Sequence, residues 1–137
     1  MIYSRIIGTG SCLPEKVVTN HDLEKIMDTT DQWIRERTGI RERRITEDDE
    51  TTGMLAEKAC RRALEAADVD PAEIDLFVMG TTTPDLVFPS TACLIQKKLG
   101  LPDCGAMDVN AACSGFMYAL SVADKFVRTG DAQNVLV

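Results

Sequence analysis

The sequence predicts an α/β layer fold in which strands and helices alternate along one chain. Three observations carry this. Leu76-Phe77-Val78-Met79-Gly80 is an unbroken apolar run of strand length, as expected for a strand buried on both faces of a parallel sheet. Stretches with helical periodicity lie before and after it. Further apolar stretches, at residues 106–112 and from Asn134 onward, each follow such a helix. Parallel strands separated by helices require crossovers, which are right-handed in α/β sheets.

Composition agrees. The chain has 137 residues, enough for one domain with a real core and too few for two full ones. Apolar residues make up 45% and charged residues 27%, the balance of a globular chain and not a disordered one. A net charge of −7 argues against nucleic acid as a partner. No apolar run reaches the length of a membrane span, so no membrane partner is expected. The N-terminus lacks the charged start and long apolar stretch of a signal peptide, and the expected location is cytoplasmic. The five cysteines are odd in number and widely spaced, against a disulfide framework. With no Cys-x-x-Cys pair and His21 as the sole histidine, a structural zinc site is not expected.

Taken in order, residues 2–8 read as a short strand ending in a Gly8-Thr9-Gly10-Ser11 turn. Asn20 suits the cap of a short helix with Leu23, Ile26 and Met27 on one face. Thr29 and Gln32 have capping-box spacing, predicting a second short helix through Arg37 that Gly39 stops. Residues 46–52, with four acidic side chains, read as an exposed loop and not a boundary. Thr51 or Thr52 begins a long helix to about Ala67, with Leu55, Ala59, Ala63 and Ala67 as its buried stripe and small alanines suited to close packing on a sheet. Asp70-Pro71-Ala72-Glu73 has an N-cap, an N1 proline and an N3 acid, but only a turn fits before the strand that follows. Ser90 opens the next helix, and Gly100 and then Pro102 close it. Residues 106–112 form a strand. Residues 114–129 form a helix with Met117, Leu120, Ala123 or Asp124, and Val127 on one face, ended by Gly130. Asn134-Val135-Leu136-Val137 begins another strand in which the chain stops, and the expectation is the front part of a longer protein.

The strongest chemical signal is Asp108-Val109-Asn110-Ala111-Ala112-Cys113-Ser114-Gly115-Phe116. It puts a cysteine where a strand turns into a helix, at the carboxyl edge of the sheet where α/β sites sit. Free N–H groups and the macrodipole at a helix N-terminus favour a thiolate, and a thiolate is the nucleophilic form. Small neighbours allow a substrate close to the backbone, whose N–H groups could hold an oxyanion. On local pattern alone the alternative stays open that Cys113 is a buried structural thiol. Cys60 and Cys93 fall in helical patterns and read as core; Cys12 and Cys104 carry no assignment. Gly8-Thr9-Gly10 lacks the third glycine of a dinucleotide fingerprint, having Leu13 and Pro14 instead, and reads as a tight turn. Trp33, near Arg35, Arg37 and Arg41, is either a half-buried anchor or a flat platform for a base beside phosphate-binding cations. Arg41-Glu42-Arg43-Arg44 reads as solvated surface, and His21 as exposed without a chemical role.

Several stretches together resemble the β-ketoacyl-acyl carrier protein synthase III family. They are Ile7-Gly8-Thr9-Gly10-Ser11-Cys12-Leu13-Pro14, Thr30-Asp31-Gln32-Trp33-Ile34, Arg37-Thr38-Gly39-Ile40-Arg41-Glu42-Arg43, Phe88-Pro89-Ser90 and the nine residues around Cys113. The resemblance implies a thiolase-like fold, of which residues 1–137 would be the incomplete N-terminal half: a mixed, mostly parallel five-stranded sheet between helices, with its last strand cut off. It implies that Cys113 is the acyl-accepting nucleophile and that Trp33 stacks on the adenine of coenzyme A. Thr29 and Arg37 would be polar contacts nearby, and Phe88 would reach across a homodimer into the partner's acyl pocket.

The implied activity starts fatty-acid chains by a decarboxylative condensation of an acyl-coenzyme A, acetyl or short branched, with malonyl-acyl carrier protein. An acyl-cysteine is the intermediate, and no metal or redox cofactor takes part. The family's catalytic histidine and asparagine lie in its C-terminal half, so no residue here is matched to them, and the 137-residue piece alone is not expected to complete the condensation. Other readings are a starter acyltransferase for polyketides or quinolones, a noncatalytic chain that binds coenzyme A or a partner, and, weakest, a thiol redox protein.

Overall fold

The computed structural model describes residues 2–101 and 104–137. The chain forms two compact units, Met1–Cys12 with Thr52–Val137, and Leu13–Thr51. The stretch 46–52, read from sequence as loop alone, therefore ends at the break between them.

The smaller unit begins with strand β1 (Val17–Thr19), helix α1 (Asn20–Glu24), helix α2 (Asp31–Thr38) and strand β2 (Glu42–Arg44). β1 and β2 pair antiparallel, with Val18 opposite Arg43. The sequence predicts neither strand, because three residues carry no readable alternation and Arg41-Glu42-Arg43-Arg44 has the composition of solvated surface. Thr19, not Asn20, caps α1, in a capping box with Asp22. The helix ends at Glu24, which leaves Ile26 and Met27 exposed and not on a buried face. Thr30, not Thr29, caps α2: its hydroxyl accepts from the Trp33 N–H at 3.1 Å. Gly39 closes α2 at φ 73°, the left-handed C-cap that the sequence predicts.

In the larger unit, helix α3 (Thr52–Ala67) precedes strand β3 (Leu76–Gly80), helix α4 (Thr91–Leu99), strand β4 (Gly105–Val109), helix α5 (Gly115–Thr129) and strand β5 (Val135–Leu136). The sheet order is β4-β3-β5, and both pairings are parallel. The central strand alternates between two cores. Phe77 and Met79 pack with Cys60 and Leu64 of α3 and Ala92, Ile95 and Leu99 of α4. Leu76 and Val78 pack with Ala119 and Val122 of α5. Helices thus cover both faces, which is why β3 carries no polar side chain. Burying Phe77 alone is worth about 3 kcal/mol.

Ser90 caps α4 through the Cys93 N–H, and Gly100 closes it; Pro102 lies outside the described residues. A capped 3₁₀ turn fills Pro71–Glu73. The β5 register is pinned by Asp75, whose Oδ2 accepts from the N–H groups of Gln133 at 2.7 Å and Asn134 at 3.0 Å. Among the described residues no helix is long and apolar enough to cross a membrane.

Further sequence expectations change. Residues 2–8 form no strand; they run as extended chain with Ile2, Tyr3, Ile6 and Ile7 exposed. Gly8 and Gly10 make no tight turn either. They let this segment lie on the α3 backbone, where a Cβ on Gly8 would stand 2.6 Å from the Ala63 carbonyl oxygen. The alanine stripe of α3 thus packs closely as predicted, but Ala59, Ala63 and Ala67 meet this segment while Gly53, Cys60 and Leu64 form the buried face. On α5 the buried face is Gly115, Ala119 and Ala123, and Met117 is exposed.

Carboxylates brace the small unit. Hydrogen bonds from Lys25 and Thr19 hold Asp22 well below the usual carboxylate range. The Asp31 N–H and His21 lower Glu24, and Asn20 and then Arg35 lower Asp31. Groups whose folded pKa is depressed stabilise above their unfolded pKa, and that stabilisation is lost as pH falls through the folded one. The Leu13–Thr51 unit should therefore lose stability progressively as pH falls below about 5, and Asp22 should be the last of the three to give up its share. Melts followed by circular dichroism check this, and Asp22→Asn should flatten the decline.

Candidate active site

The loops that follow β3 and β4 leave the same carboxyl edge of the parallel sheet, joined where the Thr81 N–H donates to the Val109 carbonyl at 3.1 Å. After β4 the chain reverses within a few residues. Ala111 has φ −144° and ψ 34°, and Ala112 has φ 46°. The left-handed region is disfavoured for a residue with a Cβ, by about 1–2 kcal/mol. A 3₁₀ turn over Ala112–Ser114 then leads into α5. Cys113 sits on that turn, exposed to solvent. Ser114 makes no side-chain cap, so none of its own atoms covers the amino end of the 15-residue helix. Cys113 is thus not the buried structural thiol of the alternative reading.

One glycine makes this turn possible. A Cβ on Gly80, at the end of β3, would stand 2.8 Å from the Gly115 carbonyl carbon and 2.9 Å from the Phe116 nitrogen. Only a bare Cα lets the strand touch the first turn of α5. The other four thiols are differently placed. Cys60 is buried and pushed up to about 11 by that burial, and desolvation also raises Cys104. The Cys93 Sγ accepts from the Ser90 hydroxyl at 3.2 Å, and Cys12 is half-buried. All five cysteines are free.

Asp108, a member of the cysteine motif to which the sequence gives no separate role, organises this edge. Its two oxygens accept from the N–H groups of Thr91 at 2.9 Å and Ala92 at 2.8 Å, joining β4 to the start of α4. The buried Thr91 hydroxyl accepts in turn from the Asp85 N–H, and Asp85 Oδ1 accepts from the Gly53 N–H at 2.8 Å. This chain of bonds anchors both ends of a loop whose tip is apolar and bare. Val87 is 99% exposed and Phe88 88%, just before a cis Phe88–Pro89 bond.

In the Leu13–Thr51 unit, α2 presents Trp33 with 53% of its surface exposed, and the Arg37 guanidinium lies 5.0 Å from the ring centroid. A flat indole backed by a cation is a platform of the kind a base and phosphates use. Thr29 precedes the helix cap, and its hydroxyl oxygen is buried without a hydrogen-bond partner. His21 hydrogen-bonds Glu24 at 3.2 Å on the surface.

The family described as 3-oxoacyl-[acyl-carrier-protein (ACP)] synthase III matches residues 107–137, which hold the Cys113 turn, α5 and β5. A β-ketoacyl-[acyl-carrier-protein] synthase III of Xanthomonas campestris pv. campestris strain 8004 is 71% identical over 136 residues, covering 99% of this chain and 42% of its own length. The crystal structure of 3-oxoacyl-[acyl-carrier-protein] synthase III from Aquifex aeolicus VF5 superposes with a TM-score of 0.92 at 53% identity, covering 96% of this chain and 42% of that one. A priming β-ketosynthase of a polyketide biosynthetic pathway superposes at 0.93 with 45% identity, over 97% of this chain and 40% of that one. The chain therefore spans less than half the length of these relatives. Its fold is that of the thiolase-like condensing enzymes. Within that class it matches the N-terminal part of the β-ketoacyl-acyl carrier protein synthase III family.

The Gly80–Gly115 contact sets the Cys113 turn. Gly80→Ala should cost about 1–3 kcal/mol, because backbone and not a flexible side chain must move. Gly115→Ala, whose nearest neighbours lie at 3.7–3.8 Å, should not meet that steric cost. Denaturant titration of the two variants checks the contrast.

Proposed function

We propose that the protein carrying this chain is a β-ketoacyl-acyl carrier protein synthase III, in which residues 1–137 form the N-terminal part of the catalytic fold. The observation that carries the reading is Cys113, bare on a left-handed turn at the amino end of α5 and at the carboxyl edge of the parallel sheet. A thiol so placed suits covalent acyl transfer.

In the first half-reaction the Cys113 sulfur attacks the thioester carbonyl of an acyl-coenzyme A, acetyl or short branched. The new carbon–sulfur bond forms, the old one breaks, and coenzyme A leaves with the proton that balances its thiolate. Backbone N–H groups at the start of α5 suit the transient oxyanion. Trp33 and Arg37 receive the adenine nucleotide, with Thr29 as a neighbouring polar group; the exposed indole and its cation support this. In the second half-reaction malonyl-acyl carrier protein loses carbon dioxide, and the resulting carbanion equivalent takes the acyl group, freeing the Cys113 thiolate. The histidine and asparagine of that step are assigned to the family's C-terminal half.

The apolar tip at Leu86, Val87 and Phe88 supports a homodimer in which Phe88 enters the partner's acyl pocket. Solvent would otherwise cover a phenyl ring held on a braced loop. Five free thiols suit a reducing, cytoplasmic setting. Synthase III is favoured over a polyketide priming enzyme by the 71% identity of the first against 45% for the second.

In the full-length protein, Cys113→Ala should abolish the acetyl adduct formed on mixing with acetyl-coenzyme A, read by intact mass. An adduct that persists would put the nucleophile elsewhere. Trp33→Ala should weaken coenzyme A binding by about 1–3 kcal/mol, the usual worth of base–aromatic stacking, measured by calorimetry.

A further inference from the structure

The geometry points to Asn20 as the positioning residue of the nucleotide platform, a role that rests on reading Trp33 and Arg37 as the coenzyme A contact. Helix α2 has eight residues and buries only Ile34, so apolar packing does little to fix its rotation. Something else must aim Trp33. Asn20 is 1% exposed. Its single amide nitrogen donates to Asp31 Oδ1 at 2.9 Å and to the Ile40 carbonyl at 2.8 Å. Asp31 is the first residue of α2, and Ile40 follows its C-cap. One buried amide therefore grips both ends of the helix that carries the platform.

The backbone reinforces the grip. The Asn20 N–H donates to the Arg41 carbonyl at 3.3 Å, and the Asp31 N–H donates to Glu24 Oε1 at 2.6 Å. The orientation of the amide is also determined. Its Oδ1 is buried without a partner. Turning the amide over would satisfy neither neighbour, because it would set that oxygen against a carboxylate and a carbonyl. The residue keeps one acceptor unsatisfied to make both donor bonds, a cost that a purely structural site would avoid with an apolar side chain. Trp33 and Arg37 lie between the two clamped ends.

The test uses two acyl donors with the full-length protein. Acetyl-coenzyme A carries the nucleotide, and acetyl-pantetheine has the same thioester without it. Asn20→Leu keeps the volume and removes both donor bonds. Asp31→Ala removes one of them from a partly exposed position, and decides the matter if Asn20→Leu does not fold. We expect KM for acetyl-coenzyme A to rise about tenfold with kcat unchanged, and acetyl-pantetheine to be used as before. A loss that is equal for both donors would make Asn20 a stability residue only and overturn the inference. Trp33→Ala, run in parallel, sets the scale. If it leaves the preference between donors unaltered, the coenzyme A reading falls and the inference with it. If it removes the preference while folded Asn20→Leu and Asp31→Ala retain it, the positioning role alone is overturned.

Discussion

The rest of the larger unit depends on the burial of β3 on both faces. Odd-numbered residues of this strand fill the core beneath α3 and α4, and even-numbered ones fill the core beneath α5. Such a strand can tolerate no slip, since moving the register by one residue would exchange the two cores. The helices on each side are placed by which of its side chains they meet. The strand then ends in Gly80, where the two layers come close enough for strand and helix backbones to touch. The cysteine turn is built at that touching point.

Carboxylates at opposite ends of the sheet do complementary work. Asp75 precedes β3 and collects N–H groups from the approach to β5. Asp108 lies near the end of β4 and collects N–H groups from the start of α4. Each satisfies backbone donors that would otherwise be orphaned beside the core. Asp108 also belongs to the segment that presents Cys113. Through Thr91 and Asp85 the loop bearing Phe88 is therefore tied to the strand bearing the thiol. Edge loops are usually the mobile parts of such a sheet; this one is braced at its base and bare at its tip.

Much of this was legible in the sequence, and for physical reasons. The runs around β3, α4 and α5 are strongly patterned and end in Gly100 and Gly130, whose left-handed caps only certain residues favour. The strand-to-helix turn around Cys113 was readable because small residues and Gly115 mark the junction between an apolar strand and a helix. Where reading failed, the deciding contact was distant. Gly8 and Gly10 look like turn formers, but their smallness serves approach to α3, about fifty residues away in sequence. Asn20 looks like a helix cap by residue type, yet Thr19 caps and Asn20 is needed inside. Thr29 and Thr30 compete for one cap, and side-chain chemistry alone does not separate them. The apolar residues 2–7 have strand composition but pair with no neighbouring strand among the described residues, so composition misleads.

Ala112 holds a left-handed conformation while carrying a methyl group. Glycine would adopt that conformation freely, and would equally adopt many others. Alanine admits far fewer, so the turn that carries Cys113 has little freedom to wander about its folded geometry. The entropy of ordering the turn is therefore lost once, when the chain folds, and not again each time Cys113 is approached from solvent.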